Sequence, residues 1–320
     1  MRPTVPLQGV LLQAAVGSLA LCVLLGQPLQ ADPLSTVTIQ AQREQLRQEV
    51  NQFVAATIVR PQNDDSLLRW DTPICPLVAG LPREQGEFFL QKISQTARAA
   101  KAPLAAENCR RPNLYVIVAS NPATFLKLWW KHDVRLFSTV HGITAAERFI
   151  STPRAVRVWY NDRQIDPDTG SQVGTLLAQS LSLGTGGPVS YPVNYAPGRL
   201  GSRLHYLTVR TVQSAIVVID AQQLPNVTLG QMADYVSMVS LAEIDPDKAV
   251  GEIPSILSLF RPQAQSRPEG LTVWDRSLLH AIYVSRQKDR MQFSEICTGT
   301  LNALLVAPDL APVTPLNSIP

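Results

Sequence analysis

The stretch that most constrains the fold is an apolar strand followed closely by a long helix. "SAIVVID", residues 214–220, has the composition of a strand, and the spacing of "TLGQMADYVSMVSLAEID" predicts one amphipathic helix over 228–243. Four apolar side chains at i, i+3, i+7 and i+10 form one stripe along it: Leu229, Met232, Val236 and Val239. We expect this stripe to anchor the helix against a sheet.

The same strand-then-helix order occurs earlier in the chain. "NLYVIVAS" is a short apolar strand, and "NPATFLKLWWKH" starts a helix with Asn121 as N-cap and Pro122 in its first turn. Residues 155–220 favour strands, with a Gly/Pro-rich loop at 182–202, and helical segments follow at 250–260, 271–285 and 292–306. The predicted class is α+β, with an N-terminal α/β layer packed on a mixed sheet and a helical C-terminal half.

These segments divide the chain into five parts. The 320 residues, 45% of them hydrophobic, suffice for one large or two modest domains. We expect a signal peptide at 1–31, an N-terminal helix at 32–60, an α/β lobe at 61–150, a strand-rich then helical lobe at 151–305 and a Pro-rich tail at 306–320.

The first residues have the pattern of an export signal. Arg2 precedes the apolar stretch 10–26, and "QPLQA" offers Ala31 for cleavage, so the mature protein is expected to be periplasmic or secreted. An uncleaved anchor is the alternative, and it would be the chain's only membrane contact. A net charge of +3 without a run of Lys or Arg argues against nucleic acid as a partner.

Three cysteines follow the export segment. Cys75 and Cys109 lie in loop-like sequence on either side of a helical stretch, and we predict that they form a disulfide. Cys297 lies in a predicted helix and is expected to be a buried free thiol. The alternative is that all three are unpaired.

The segment 205–285 resembles a metzincin-like (zincin) peptidase domain. In that family a zinc helix with the pattern HExxH leads to a Met-bearing turn and then to a helix of the type "LTxxDxxxLxxLY". Here the order is "QMADYVSMV", "PSILSLF" and "LTVWDRSLLHAIY". The whole chain also resembles a family of uncharacterised exported proteobacterial proteins that share the segment "RWDTPICPLVAGL".

The resemblance lacks the family's zinc ligands. Gln231 stands at the first His, Met232 at the Glu and Tyr235 at the second His, while Met238 and Leu257 replace the family's Gly and turn Met. A Gln amide is a poor zinc ligand, and Met232 offers no base. Alternatively, the helix belongs to an unrelated domain, and Gln231 forms a capping box with Thr228.

Other constellations point weakly to function. Trp129 and Trp130 lie beside Lys127 and Lys131, which indicates an exposed binding patch or, alternatively, core packing with one ring half-exposed. Asp166 and Asp168 in "DPDTG" favour a hairpin turn over calcium binding. His205 and Asp220 could belong to a Ser-His-Asp arrangement, but the sequence has no G-x-S-x-G elbow to support one.

We therefore expect no metal, no cofactor and no catalytic residues. The predicted role is a non-catalytic binding or structural protein of the cell envelope, on a degenerate peptidase-like scaffold, whose partner is a protein or another envelope ligand. The alternative is a periplasmic hydrolase that uses residues other than zinc ligands.

Overall fold

The computed structural model covers most of the chain after the predicted signal peptide. It describes residues 33–60, 66–133, 135–137, 142–180, 189–195, 206, 208–224, 226–245, 253–261, 267–286 and 290–307. The predicted signal peptide at 1–31 and most of the predicted tail at 306–320 lie outside these residues. Among the helices described, none combines the length and the hydropathy that a bilayer crossing requires.

Two units divide the chain, residues 1–42 and residues 43–320. Of the first unit, the structure describes residues 33–42, which are helical and belong to helix α1 (Pro33–Thr57). In the second unit, Val50, Phe53 and Val54 of α1 are fully buried. The predicted N-terminal helix at 32–60 therefore corresponds to α1, and its apolar spacing marks the side that packs.

A four-stranded mixed sheet forms the centre of the second unit. Its order is β1 (Pro76–Ala79), β2 (Leu114–Ala119), β6 (Val209–Asp220) and β3 (Val156–Ile165). The first three strands are parallel, and β3 runs antiparallel to β6 at one edge. A separate hairpin joins β4 (Gly174–Ser180) to β5 (Val189–Tyr195).

Apolar residues cover both faces of the sheet. Along β6, Val217 and Ile219 enter the larger core, whereas Ile216 and Val218 enter a second core on the opposite face. A strand buried on both faces needs a continuous apolar run, which is what "SAIVVID" supplies. The second core contains Leu126 and Ile150, from α3 (Pro122–His132) and α4 (Ile143–Ser151).

The larger core combines residues of α1 and of the sheet with the remaining helices. They are α2 (Arg83–Ala100), α5 (Leu229–Leu241), α6 (Val273–Val284) and α7 (Gln292–Val306). The predicted N-cap of α3 is confirmed, because Asn121 accepts a hydrogen bond from the Thr124 amide at 3.0 Å. The α+β class is confirmed as well, with helices following the strands on both faces of a mixed sheet.

The two predicted lobes, 61–150 and 151–305, contribute to one sheet. Strand β2 from the first lobe pairs with β6 from the second over six residues, from Leu114–Ala215 to Ala119–Asp220. A division at residue 150 therefore does not separate two sheets. The apolar strands of both lobes instead bury their surface against the same helices.

Three local predictions are wrong. The sequence favours separate strands in "RLHYLTVRT" and "SAIVVIDAQ", but the structure has one strand, β6, from Val209 to Asp220, and its pairing with β3 shifts register between Asn161 and Asp162 without ending. The Gly/Pro-rich loop at 182–202 contains β5. In the described part of the helix expected at 250–260, the structure has only a 3-10 turn at Ile256–Ser258, and Asp275 of α6 accepts from the Ile256 amide.

The predicted disulfide is confirmed. Cys75 and Cys109 are bonded, with Cα atoms 6.0 Å apart. Cys75 directly precedes β1, and Asn113, directly before β2, holds it in place. The Asn113 side chain accepts from the Cys75 amide at 2.7 Å, and the Asn113 amide donates back to the Cys75 carbonyl at 3.0 Å. The bridge therefore ties the starts of two paired strands.

Candidate functional site

Helix α5 is buried around its whole circumference. Met232, Val236 and Val239 of the predicted stripe are buried, but so is every other residue from 231 to 241, including Asp234. The prediction of an amphipathic helix is therefore wrong. Polar residues are tolerated because they find partners inside the fold: Ser237 Oγ donates to the Ala233 carbonyl at 2.7 Å, and Asp234 pairs with a lysine of α2.

At the first motif position, the carboxamide of Gln231 is fully engaged. Its Oε1 accepts from the Thr228 amide at 2.9 Å, and the Gln231 amide donates to Thr228 Oγ1 at 3.2 Å, which completes the predicted capping box. Its Nε2 donates to the Pro268 carbonyl at 2.7 Å. The side chain thus caps the helix and also holds the segment before α6 through the Pro268 carbonyl.

The next two motif positions are filled by packing. Met232 and Tyr235 are each only 4% exposed. The Tyr235 ring meets Phe260 edge to face with centroids 4.9 Å apart, and Phe260 lies just after the 3-10 turn at Ile256–Ser258. A thioether and a packed phenol supply neither the base nor the imidazole of a zinc peptidase.

A buried carboxylate joins the two other segments of the resemblance. Asp275 in "LTVWDRSLLHAIY" accepts hydrogen bonds from Ser255 Oγ at 2.6 Å and from the Ile256 amide at 2.8 Å, both in "PSILSLF". It also accepts from the Thr272 amide at 2.9 Å. Burial raises the pKa of Asp275, and these hydrogen bonds act in the opposite direction. Turn and helix are therefore held as one unit.

Three aromatic donors satisfy the carboxyl end of α5. Trp70 Nε1 donates to the Ser240 carbonyl at 2.8 Å, Tyr160 donates to the Ala242 carbonyl at 2.8 Å, and the Tyr283 hydroxyl donates to the Leu241 carbonyl. Burial raises the pKa of both tyrosines, so each remains a protonated donor. The last carbonyls of a helix lack partners within the helix, and these side chains supply them.

Beside α5 lies a pocket of about 440 Å³, which we call the charged pocket. It is bounded by α2, α5, the segment before α6 and α6 itself. Its charged lining residues are Lys92, Asp234, Glu269 and Arg276, and Gln95, Thr96 and Gly270 also line it. Lys92 Nζ lies 3.2 and 3.3 Å from the two oxygens of Asp234. This volume falls within the range of small-ligand sites.

Gly270 lets the backbone approach the Asp234 carboxylate. A Cβ on residue 270 would lie 2.5 Å from Asp234 Oδ2, and the next amide, Leu271, donates to that same oxygen at 3.3 Å. Sequence reasoning missed this site. Its one signal was Asp234, a carboxylate inside an otherwise apolar helical stretch, which needs a partner when buried.

The histidines do not form a site within the described residues. His132 is exposed at the end of α3, and His280 is half-buried on α6. His141 and His205 lie outside the described residues. Across the part of the chain that the structure describes, no group of three His, Cys, Asp or Glu side chains could hold a metal ion.

Asp220 and Asp166 have structural roles. Asp220 caps a 3-10 turn by accepting from the Gln222 amide at 3.0 Å. Asp166 closes the predicted hairpin turn: its Oδ1 accepts from the Asp168 amide at 2.8 Å, and its carbonyl accepts from the Gly170 amide at 2.8 Å. The turn interpretation of "DPDTG" is confirmed.

The paired tryptophans of α3 have similar environments. The sequence predicted one core ring and one half-exposed ring, but Trp129 and Trp130 are both half-buried. Trp129 meets Tyr115 with centroids 5.6 Å apart, and Trp130 meets Phe137 at 5.4 Å. Leu128, which directly precedes them, is 55% exposed. Both rings close the second core, so each contributes only part of its surface to a patch.

Cys297 is a buried free thiol, as predicted. Burial raises its pKa to about 11. Because the thiolate is the nucleophile, this environment is the reverse of the one that activates a catalytic cysteine.

Comparisons of the chain with protein-family models, with curated proteins and with solved structures found no match. The geometry of the charged pocket and of the motif positions is therefore the basis for assigning function.

Proposed function

We propose that this chain is an exported cell-envelope protein that binds a ligand without cleaving it, on a zincin-like scaffold whose catalytic positions have become packing positions. The observation that carries the proposal is the state of those positions. Gln231 is engaged by Thr228 and by the Pro268 carbonyl, and Tyr235 is packed on Phe260.

The order of the connected elements supports the zincin-like scaffold. Helix α5, the turn at 256–258 and α6 follow one another as the resemblance implies. Asp275 links the last two, and Tyr283 of α6 returns to the Leu241 carbonyl at the end of α5. The residues that resemble the family are thus in mutual contact, while the zinc-ligand positions are occupied by other side chains.

The Cys75–Cys109 bridge supports export, because disulfides persist in oxidising compartments. Mass spectrometry of protein from the envelope should give a mature chain that begins after Ala31 and retains the bridge. A full-length chain in the membrane fraction would instead favour the anchor alternative.

Metal analysis and a peptidase assay test the non-catalytic role. Tag-free protein should contain far less than one zinc per chain and should leave peptide substrates intact, because structural or catalytic zinc needs at least three good ligands. One tightly held zinc, lost together with peptidase activity in His280→Ala but kept in the matched exposed variant His132→Ala, would overturn the proposal.

A further inference from the structure

The charged pocket carries two charges of each sign in two different settings. Lys92 and Asp234 are paired and largely enclosed, with side chains 33% and 10% exposed. Glu269 and Arg276 are exposed. Among the residues that the structure describes, neither of them has an ion-pair partner. Both line the pocket. The pocket therefore has an internally balanced floor and two unpaired charges of opposite sign.

The floor pair keeps hydrogen-bonding capacity for a ligand. The Lys92 ammonium has three donors, and Asp234 takes up one direction. The Asp234 carboxylate is fixed by Lys92 and by the Leu271 amide, and Gly270 leaves room for it. The pair is held from three elements, so a ligand would meet preorganised charges.

Arg276 is oriented as well. Its Nη1 donates to the Leu271 carbonyl, which leaves the rest of the guanidinium fork available. Such a fork suits a carboxylate, which it binds through two parallel hydrogen bonds. Beside these charges, Ala99, Ala100 and Leu279 give the pocket an apolar wall.

We propose that the charged pocket binds a zwitterion with an apolar side chain, namely a free α-amino acid or a short peptide with both termini free. Its carboxylate meets Arg276 and Lys92, and its ammonium meets Glu269 and Asp234. A ligand with only one charge would leave either Arg276 or Glu269 without an oppositely charged partner. This inference rests on the proposed binding function and specifies its ligand.

Calorimetric titration with matched ligands tests the class. The probes are leucine, Leu-Leu and Leu-Leu-Leu, each compared with its N-acetyl derivative, which lacks the ammonium, and its C-terminal amide, which lacks the carboxylate. At least one zwitterion should bind, and both of its single-charge analogues should bind about tenfold more weakly or worse, since each loses hydrogen bonds to a charged group.

Two exposed variants assign the ends of the ligand. Arg276→Gln should weaken the zwitterion about tenfold and leave the affinity for the amide nearly unchanged. Glu269→Gln should do the reverse, weakening the zwitterion and sparing the N-acetyl derivative. Arg98→Gln and Glu84→Gln, exposed positions of α2 outside the pocket, are the matched controls and should bind as wild type does.

Several results would overturn the inference. One is that none of the three zwitterions binds. Another is that the single-charge analogues bind as tightly as the zwitterions. A third is that Arg276→Gln and Glu269→Gln leave the affinities unchanged although thermal melts show that both variants are folded. Failure here with zinc-free, inactive protein would refute the ligand class alone. Stoichiometric zinc with peptidase activity would refute the proposed function itself.

Discussion

Ser255 Oγ donates a hydrogen bond to the Asp275 carboxylate at 2.6 Å, and both groups are fully buried. The bond spans twenty residues and joins the 3-10 turn after α5 to the first turn of α6. Asp275 also completes a capping box with Thr272 at the start of α6. The Asp275 carboxylate therefore caps the start of α6 and fixes the 3-10 turn. Phe260 follows that turn, and its ring contacts Tyr235 of α5.

Replacing this carboxylate should destabilise the protein strongly. Asp275→Asn places an amide NH₂ against donors from Ser255, Ile256 or Thr272, so at least one buried donor loses its acceptor. We expect a loss of about 2–4 kcal/mol in the free energy of unfolding at neutral pH, measured by denaturant melts. Ser255→Ala removes one donor to the carboxylate and also the oxygen that accepts from the Leu257 amide at 3.2 Å. It leaves the carboxylate itself in place, so it should cost about 1–2 kcal/mol, less than Asp275→Asn. Equal losses would contradict this role.

The raised pKa of Asp275 gives its contribution a definite pH dependence. The folded state binds the proton more tightly than the unfolded chain. The part of the stability that comes from protonating Asp275 is therefore complete below the ordinary pKa of 3.8 and is lost as pH rises through the raised value, while the hydrogen bonds to the carboxylate remain at neutral pH. Melts of wild type and Asp275→Asn from pH 3.5 to 7 should show the stability difference shrinking with pH. A difference that grows with pH would mean that hydrogen bonding outweighs burial.

Two positions with positive φ should respond oppositely to substitution. Gly80 has φ 84°, and a Cβ there would lie 2.0 Å from the Val118 carbonyl oxygen, so Gly80→Ala should cost at least about 2 kcal/mol. Lys101 has φ 63° at the exposed C-cap of α2. Lys101→Gly should therefore stabilise the protein by about 0.5–1 kcal/mol. Thermal or denaturant melts measure both, and a stabilising Gly80→Ala would show that the turn after β1 can shift.

Cys297 should be inert in the folded protein. Burial raises its pKa from an ordinary value near 9 to about 11, which lowers the thiolate fraction near pH 8 by about a hundredfold. A thiol reagent should label it far more slowly in native protein than in denaturant, with a rate that keeps rising up to about pH 11. Rapid native labelling that levels off below pH 9 would contradict a buried, raised-pKa thiol.

The sequence predicts local structure well where one residue determines it. Asn121 and the Thr228–Gln231 capping box predict two helix starts, and Cys75 and Cys109 predict the disulfide. The sequence fails where tertiary partners decide. Nothing near Asp234 reveals that Lys92, over a hundred residues away, neutralises it, so α5 looks amphipathic although all its sides are covered. The charged pocket depends on the same distant pairing, and for that reason it could not be found from spacing.

The burial of α5 can be tested by a substitution at Met232. Its side chain is 4% exposed and belongs to the larger core, so Met232→Ala should leave a cavity and cost about 2–5 kcal/mol. Met291→Ala is the matched control, because it makes the same change at a side chain that is 59% exposed. That variant should cost less than about 0.5 kcal/mol, as surface substitutions do. Denaturant melts compare the two variants. A Met232→Ala loss as small as that of Met291→Ala would mean that Met232 faces solvent and that α5 is rotated from the packing described here.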